Sequence, residues 1–159
     1  MRPLAILALA AALVATPAFA ASPRAKVLVR VTSVGGVLVD ARGHTLYSYA
    51  PDRAQTSTCY GACASVWPPL LTTSKAAAGL GVRANLLSSA KRKDGKLQVT
   101  YAGHPLYLYS GDAKAGDLNG QGYSNIWWAL SSTGAKVKRS PQVPPPATTT
   151  TPYDPGGGY

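Results

Sequence analysis

From Lys26 onward the chain alternates short apolar runs with glycine-bearing turns, a rhythm that suits strands rather than helices. Val27 to Val31 is apolar and mostly β-branched, and Gly35-Gly36 offers a two-residue turn. Val37-Leu38-Val39 resumes the strand, Arg42-Gly43-His44 turns again, and Leu46 to Tyr49 completes a meander. The pattern returns later with a turn at Asp94-Gly95, whose glycine suits the positive φ of a type I′ hairpin. Leu97 to Tyr101, a turn at Ala102-Gly103-His104, and Pro105 to Tyr109 follow. Period-two alternation places Tyr47 with Tyr49, and Tyr107 with Tyr109, on one face, and Leu46, Leu106 and Leu108 on the other.

The two meanders are copies. At an offset of 60 residues Gly35 falls on Gly95, Val39 on Val99, Gly43-His44 on Gly103-His104, and Leu46-Tyr47 on Leu106-Tyr107. Tyr49 falls on Tyr109, Asp52 on Asp112, Trp67 on Trp127 and Leu70 on Leu130. These are ten identities without a gap, where average residue usage gives about two. A fourth strand around Trp67 and around Trp127 is expected to close each unit, and Ala135 to Val137 to add one more after Thr133-Gly134. A lone three-stranded unit buries too little to stand alone. The expected fold is therefore all-β: two tandem antiparallel β-meander repeats, residues 27–71 and 87–138, packed with pseudo-two-fold symmetry. Residues 72–86 connect them, and Ala76 to Leu87 has the composition for a short helix.

Both ends differ from this middle. Arg2, an apolar run from Leu4 to Val14, Pro17 and Ala18-Phe19-Ala20 read as a secretory signal peptide, residues 1–20, cut near Ala20. The run is too short to span a bilayer, no later stretch approaches the ~20 apolar residues required, and no cysteine near the cut offers a lipid acceptor. The expected location is secreted or periplasmic. Residues 141–159 hold six prolines, four consecutive threonines and three consecutive glycines, the composition of a disordered tail.

Composition narrows the function classes. The 159 residues carry 16 Lys and Arg against six acids, all Asp, for a formal charge of +10. In an exported protein that charge points to an envelope polyanion or glycan and away from nucleic acid. Basic residues cluster at Lys91-Arg92-Lys93 with Lys96, and at Lys136, Lys138 and Arg139; the plainer reading of both is a solubilising surface. Without Glu there is no Glu–Asp pair for glycoside hydrolysis. There is also no Gly-x-Ser-x-Gly elbow and no phosphate loop ending in Gly-Lys-Ser/Thr.

Tyr47-Ser48-Tyr49-Ala50-Pro51-Asp52 and Tyr107-Leu108-Tyr109-Ser110-Gly111-Asp112 resemble the Tyr-x-aromatic-x-x-Asp motif of a bacterial secreted-repeat family. Its members are described as predicted lipoproteins of unknown function. Leu38-Val39-Asp40, Cys59-Tyr60-Gly61-Ala62-Cys63-Ala64, Trp67-Pro68-Pro69-Leu70 and Gly120-Gln121-Gly122 extend the resemblance over roughly residues 27–138. It implies export and a tandem unit, and supplies no reaction.

Candidate chemistry follows residue by residue. Cys59 and Cys63, spaced Cys-x-x-x-Cys in an oxidising compartment, suit a structural disulfide, with a redox pair or metal or haem ligation as the alternatives. Tyr47, Tyr49, Tyr107 and Tyr109 with Trp67 and Trp127 suit strand-pair and core contacts, or an exposed ladder that stacks on a glycan or haem. Asp52 and Asp112 suit capping of the loops that follow them, or join His44 and His104 in a metal site if the symmetry makes the histidines converge. Asp117-x-Asn119-x-Gln121-Gly122 resembles the first half of a calcium loop, with Trp128 where the bidentate Glu belongs. The reading as a whole is a non-catalytic exported binding or interaction module without a cofactor. The alternative is a metal- or haem-linked redox accessory protein.

Overall fold

The computed structural model describes residues 24–141; the signal peptide expected over residues 1–20 and the tail expected after Pro141 lie outside the described residues. The architecture is strands with one short helix: β1 Lys26–Thr32, β2 Gly35–Asp40, β3 Tyr47–Tyr49, α1 Ala62–Val66, β4 Leu71–Thr72, β5 Ala77–Ala78, β6 Leu87–Lys91, β7 Leu97–Tyr101, β8 His104–Pro105 and β9 Trp127–Ala129. The first hairpin pairs β1 with β2 antiparallel, from Val27 opposite Asp40 to Thr32 opposite Gly35. The second pairs β6 with β7, from Leu87 opposite Tyr101 to Lys91 opposite Leu97. All strand pairs are antiparallel except β1 with β5.

The turns differ from expectation in detail. The first hairpin turns at Ser33–Val34, two residues earlier than Gly35-Gly36, because Thr32 Oγ1 donates to the Gly35 carbonyl and accepts from Val34 N–H. Gly95 takes positive φ but Asp94 does not, so that turn is not type I′. The type I′ pattern of two consecutive positive φ values appears at Ala102–Gly103, between Tyr101 and His104. No α-helix forms over 76–87. Ala77–Ala78 instead pairs parallel with β1, and a 3₁₀ turn at Ala84–Leu86 leads into β6.

The closing segments do not close their own units. Trp127–Ala129 of the second repeat pairs antiparallel with Tyr47–Tyr49 of the first. The segment around Pro69 of the first repeat bridges Tyr107 of the second. Ala50 N–H donates to the Ile126 carbonyl at 2.7 Å, and its symmetry counterpart Ser110 N–H donates to Val66 at 2.9 Å. Between these exchanged edges Tyr47 and Tyr107, equivalent in sequence, hydrogen-bond each other reciprocally at 2.8 and 2.9 Å. The pseudo-two-fold passes through that pair. Each repeat is completed by the other, so neither has a finished sheet of its own.

The exchange buries the meander strands on both faces. Leu46 and Leu106 lie in one core with Val27, Leu38, Leu87, Val99, Tyr101 and Leu130. Tyr47 and Tyr107 lie in a second core with Val37, Val39, Trp67, Trp127 and Cys59. The alternation expected from the sequence is present, with protein rather than solvent on both sides.

Candidate functional site

The repeated motif converges on the two-fold. Trp67 and Trp127, one from each closing segment, stack face to face with centroids 3.9 Å apart and planes within 4°. Tyr49 stacks on the outer face of Trp127 at 4.2 Å, and Tyr109 on the outer face of Trp67 at 4.3 Å. Tyr107 meets Trp127 edge-on at 5.2 Å and Tyr47 meets Trp67 edge-on at 5.5 Å. Offset and edge-on contacts of this kind add about 0.5–1.5 kcal/mol each beyond area burial. Both tryptophans are 3% exposed, and Tyr47 and Tyr107 are fully buried. Of the two readings of these rings, core contacts or an exposed ladder, the stack lies in the interior, with the half-buried Tyr49 and Tyr109 at its rims.

The carboxylates obey the same symmetry. Tyr47 donates its hydroxyl proton to Asp112 Oδ2 at 2.8 Å, and Tyr107 donates to Asp52 Oδ2 at 2.7 Å. Each phenol therefore reaches the Asp of the other repeat. The second oxygen of each Asp holds its own loop: Asp52 Oδ1 accepts from Thr58 N–H and Oγ1, and Asp112 Oδ1 accepts from Asn119 N–H. Burial raises the pKa of both phenols, reinforced for Tyr47 by the charge of Asp112 and for Tyr107 by its hydrogen bond to Asp52. Asp112 itself is raised, chiefly by burial.

The two histidines do not meet over a shared ligand. His44 Nδ1 lies 3.6 Å from Asp40 Oδ2 and shares a cleft with Asp112. His104 lies near Asp52 and Lys136, and burial lowers its pKa. Among the described residues no three His, Cys, Asp or Glu side chains gather to hold a metal ion. The calcium-like segment is committed to backbone groups. Asp117 Oδ2 accepts from Ala113 and Lys114 N–H, Asn119 Nδ2 donates to the Gly111 carbonyl, and Gln121 accepts from Ala129 N–H while donating to Val137 and Arg139.

Cys59 and Cys63 form a disulfide that ties the first turn of α1 to the segment before it; α1 follows Gly61 and ends where Trp67 N–H donates to the Cys63 carbonyl. It holds the approach to Trp67. The second repeat has no such staple; there Gly120 packs so closely that a Cβ would lie 2.9 Å from both Trp67 and Tyr47.

The central residue of the first basic cluster is not at the surface. Arg92 is 6% exposed and inserts beneath the first repeat's loop. Its Nη1 donates to Ser57 Oγ and Gln98 Oε1, its Nη2 to the Cys59 carbonyl, and its guanidinium carbon lies 4.3 Å from the Tyr60 ring centre. Ser57 Oγ lies 2.8 Å from the Tyr107 hydroxyl, so a polar chain runs from Arg92 to Asp52. The flanking Lys91 and Lys93 hide Arg92 in the sequence.

A concave surface surrounds the turn after β2. Clefts of about 270, 210 and 340 Å³ all include Asp40 and Arg42. Arg24, Lys26, Arg30 and Arg42 are exposed along them, and Leu70, Leu71 and Leu108 line their floor. The sole carboxylate shared by all three, Asp40, accepts the N–H groups of Arg42 and His44.

An internally duplicated β-protein, whose signature residues meet across its own two-fold, is the class this geometry defines. The chain belongs to the family described as a secreted repeat of unknown function, which it matches twice, over residues 29–71 and 88–131. The description agrees with an exported protein. No helix among the described residues is long and apolar enough to cross a membrane. Neither the curated proteins nor the solved structures include a match to it.

Proposed function

We propose that the protein is a non-catalytic binding module of the cell envelope that takes an anionic polymer along the cationic clefts around Arg42. The observation that carries this reading is the confluence of three clefts at one turn, rimmed by Arg24, Lys26, Arg30 and Arg42 and holding one shared acid that is already engaged by backbone N–H groups. Residues 24–141 contain 15 Lys and Arg against five Asp, so the net long-range field attracts a polyanion, and the groove supplies the local shape. The Arg side chains suit phosphodiester or carboxylate oxygens, and the leucine floor suits the apolar faces of the backbone that carries them.

The test is retention of the exported chain on an immobilised polyphosphodiester, with a neutral glucan as control. The wild type binds the polyanion alone, and the logarithm of its affinity falls linearly with that of salt. Arg24→Ser/Lys26→Ser/Arg42→Ser lowers that slope by about 2–3. Lys136→Ser/Lys138→Ser/Arg139→Ser, which removes equal charge elsewhere, leaves more of the slope intact. Equal losses in the two variants would reduce the groove to general surface charge and sink the reading.

A further inference from the structure

The aromatic stack and its paired carboxylates carry an inference that is independent of the cationic groove. Rings are in unbroken contact from Tyr49 through Trp127 and Trp67 to Tyr109, and Tyr123, 47% exposed, meets both Trp67 and Tyr109 at the rim. At the centre, each buried phenol that touches the tryptophan pair also donates its hydroxyl proton to a carboxylate oxygen. An oxidised phenol is a very strong acid, so a carboxylate already in hydrogen-bond contact is the acceptor that electron loss from tyrosine requires. The cleft that holds His44 also reaches Asp112 and Tyr109, which gives one of these protons a polar route outward. Residues 24–141 contain no Met, and the two cysteines are joined, so the side chains that ordinarily absorb oxidation are missing around the stack.

We propose that the ring cluster is a one-electron relay that quenches radical oxidants, with Tyr47 and Tyr107 as its terminal electron donors. A radical oxidant at the rim takes one electron from Trp67 or Trp127 across the intervening ring and leaves as its anion; the rim tyrosine keeps its electrons and its proton. Tyr47 or Tyr107 then supplies the replacing electron as its O–H bond breaks, the proton passes to Asp112 Oδ2 or Asp52 Oδ2, and a neutral tryptophan and a neutral phenoxyl remain. A small enediol of the ascorbate type gives one electron to the phenoxyl and its own proton to water, and the carboxyl group returns the phenolic proton. Electrons and protons balance with those two reagents and no metal.

The experiment generates azide radicals, which oxidise tryptophan, in a solution of the folded chain and follows the tryptophan and phenoxyl absorbances in time. The expected result is decay of the tryptophan radical into phenoxyl at a rate independent of protein concentration. In Tyr47→Phe/Tyr107→Phe that first-order phase falls at least tenfold, and Asp52→Asn/Asp112→Asn slows it and changes its solvent deuterium isotope effect. Tyr60→Phe/Tyr101→Phe, which removes tyrosines outside the stack, leaves it unchanged. Phenoxyl that forms equally fast in Tyr47→Phe/Tyr107→Phe overturns the proposal. If that variant does not fold, loss of the fast phase in Tyr60→Phe/Tyr101→Phe overturns it instead.

Discussion

Tyr47 and Tyr107 each have a buried hydroxyl with a carboxylate partner, and this fixes how the protein responds to alkali. Their pKa values are raised by folding, so the folded chain keeps two phenolic protons that the unfolded chain releases above about pH 10. The native state then holds more protons than the unfolded one, and the stability these phenols contribute is complete below about pH 10 and lost above it. The expected slope is about 1.4 kcal/mol per pH unit per tyrosine, read by denaturant titration at a series of alkaline pH values. A stability that stays level to pH 12 would show that the phenols ionise freely in the fold. Arg92 offers a second test at this scale. Its three hydrogen bonds hold Ser57, Gln98 and the Cys59 carbonyl in a buried site, so Arg92→Met removes all three, leaves Gln98 Oε1 without its donor and lowers stability by about 2–4 kcal/mol in urea unfolding. Arg92→Lys recovers little, because one ammonium does not reproduce the forked donor set. The sequence marked the tyrosines, tryptophans and aspartates of the motif but not their setting. Alternation tells which side chains share a face, and it cannot tell that the tyrosine face is covered by strands from the other repeat. Arg92 was illegible for a related reason: a charge inside a basic run looks solvated until the loop that covers it is in place.

At the scale of elements, each repeat solves the same problem with different means. The segment that carries Trp67 is held by the Cys59–Cys63 bridge at the start of α1, whereas the segment that carries Trp127 is held by Gln121, which accepts from Ala129 and donates to Val137 and Arg139. The disulfide closes a loop with a sequence separation of only four, so the entropic account gives about 2 kcal/mol. Cys59→Ser/Cys63→Ser is expected to lower the unfolding free energy by that amount and leave the near-ultraviolet circular dichroism of the Trp pair in place. Disappearance of that signal would mean that the bridge sets the position of Trp67 rather than trimming its freedom. The hairpins were legible because β-branched runs and glycine turns repeat at the strand period. The partner of each closing strand was not, since the hydrogen bonds of Tyr47–Tyr49 are equally compatible with a near segment and with one 80 residues away. The short helix was missed for want of periodicity: the five residues Ala62–Val66 carry no amphipathic stripe.

For the whole molecule, reciprocal exchange makes the repeats obligate partners, although a single chain happens to connect them. The first repeat lacks the strand that pairs with Tyr47–Tyr49, and the second lacks the segment that bridges Tyr107; both cores cross the two-fold. Residues 79–82 pack back on β1, where Leu80 accepts from Val29 N–H, so a division between Val82 and Arg83 leaves each half with its own hairpin. Fragments 24–82 and 83–141 are expected to be unfolded separately, each exposing unpaired strand edges and half of an aromatic stack. Mixed at equal concentration they should assemble one to one. The readout is specific to the proposed pairing, because Trp67 lies in one fragment and Trp127 in the other, and their parallel rings at 3.9 Å give an excitonic circular dichroism couplet only when both are present. A fragment that folds alone with dispersed amide resonances would show that a repeat can close on its own segment. The exchange seen across the two-fold would then be one of two available pairings rather than the condition for folding.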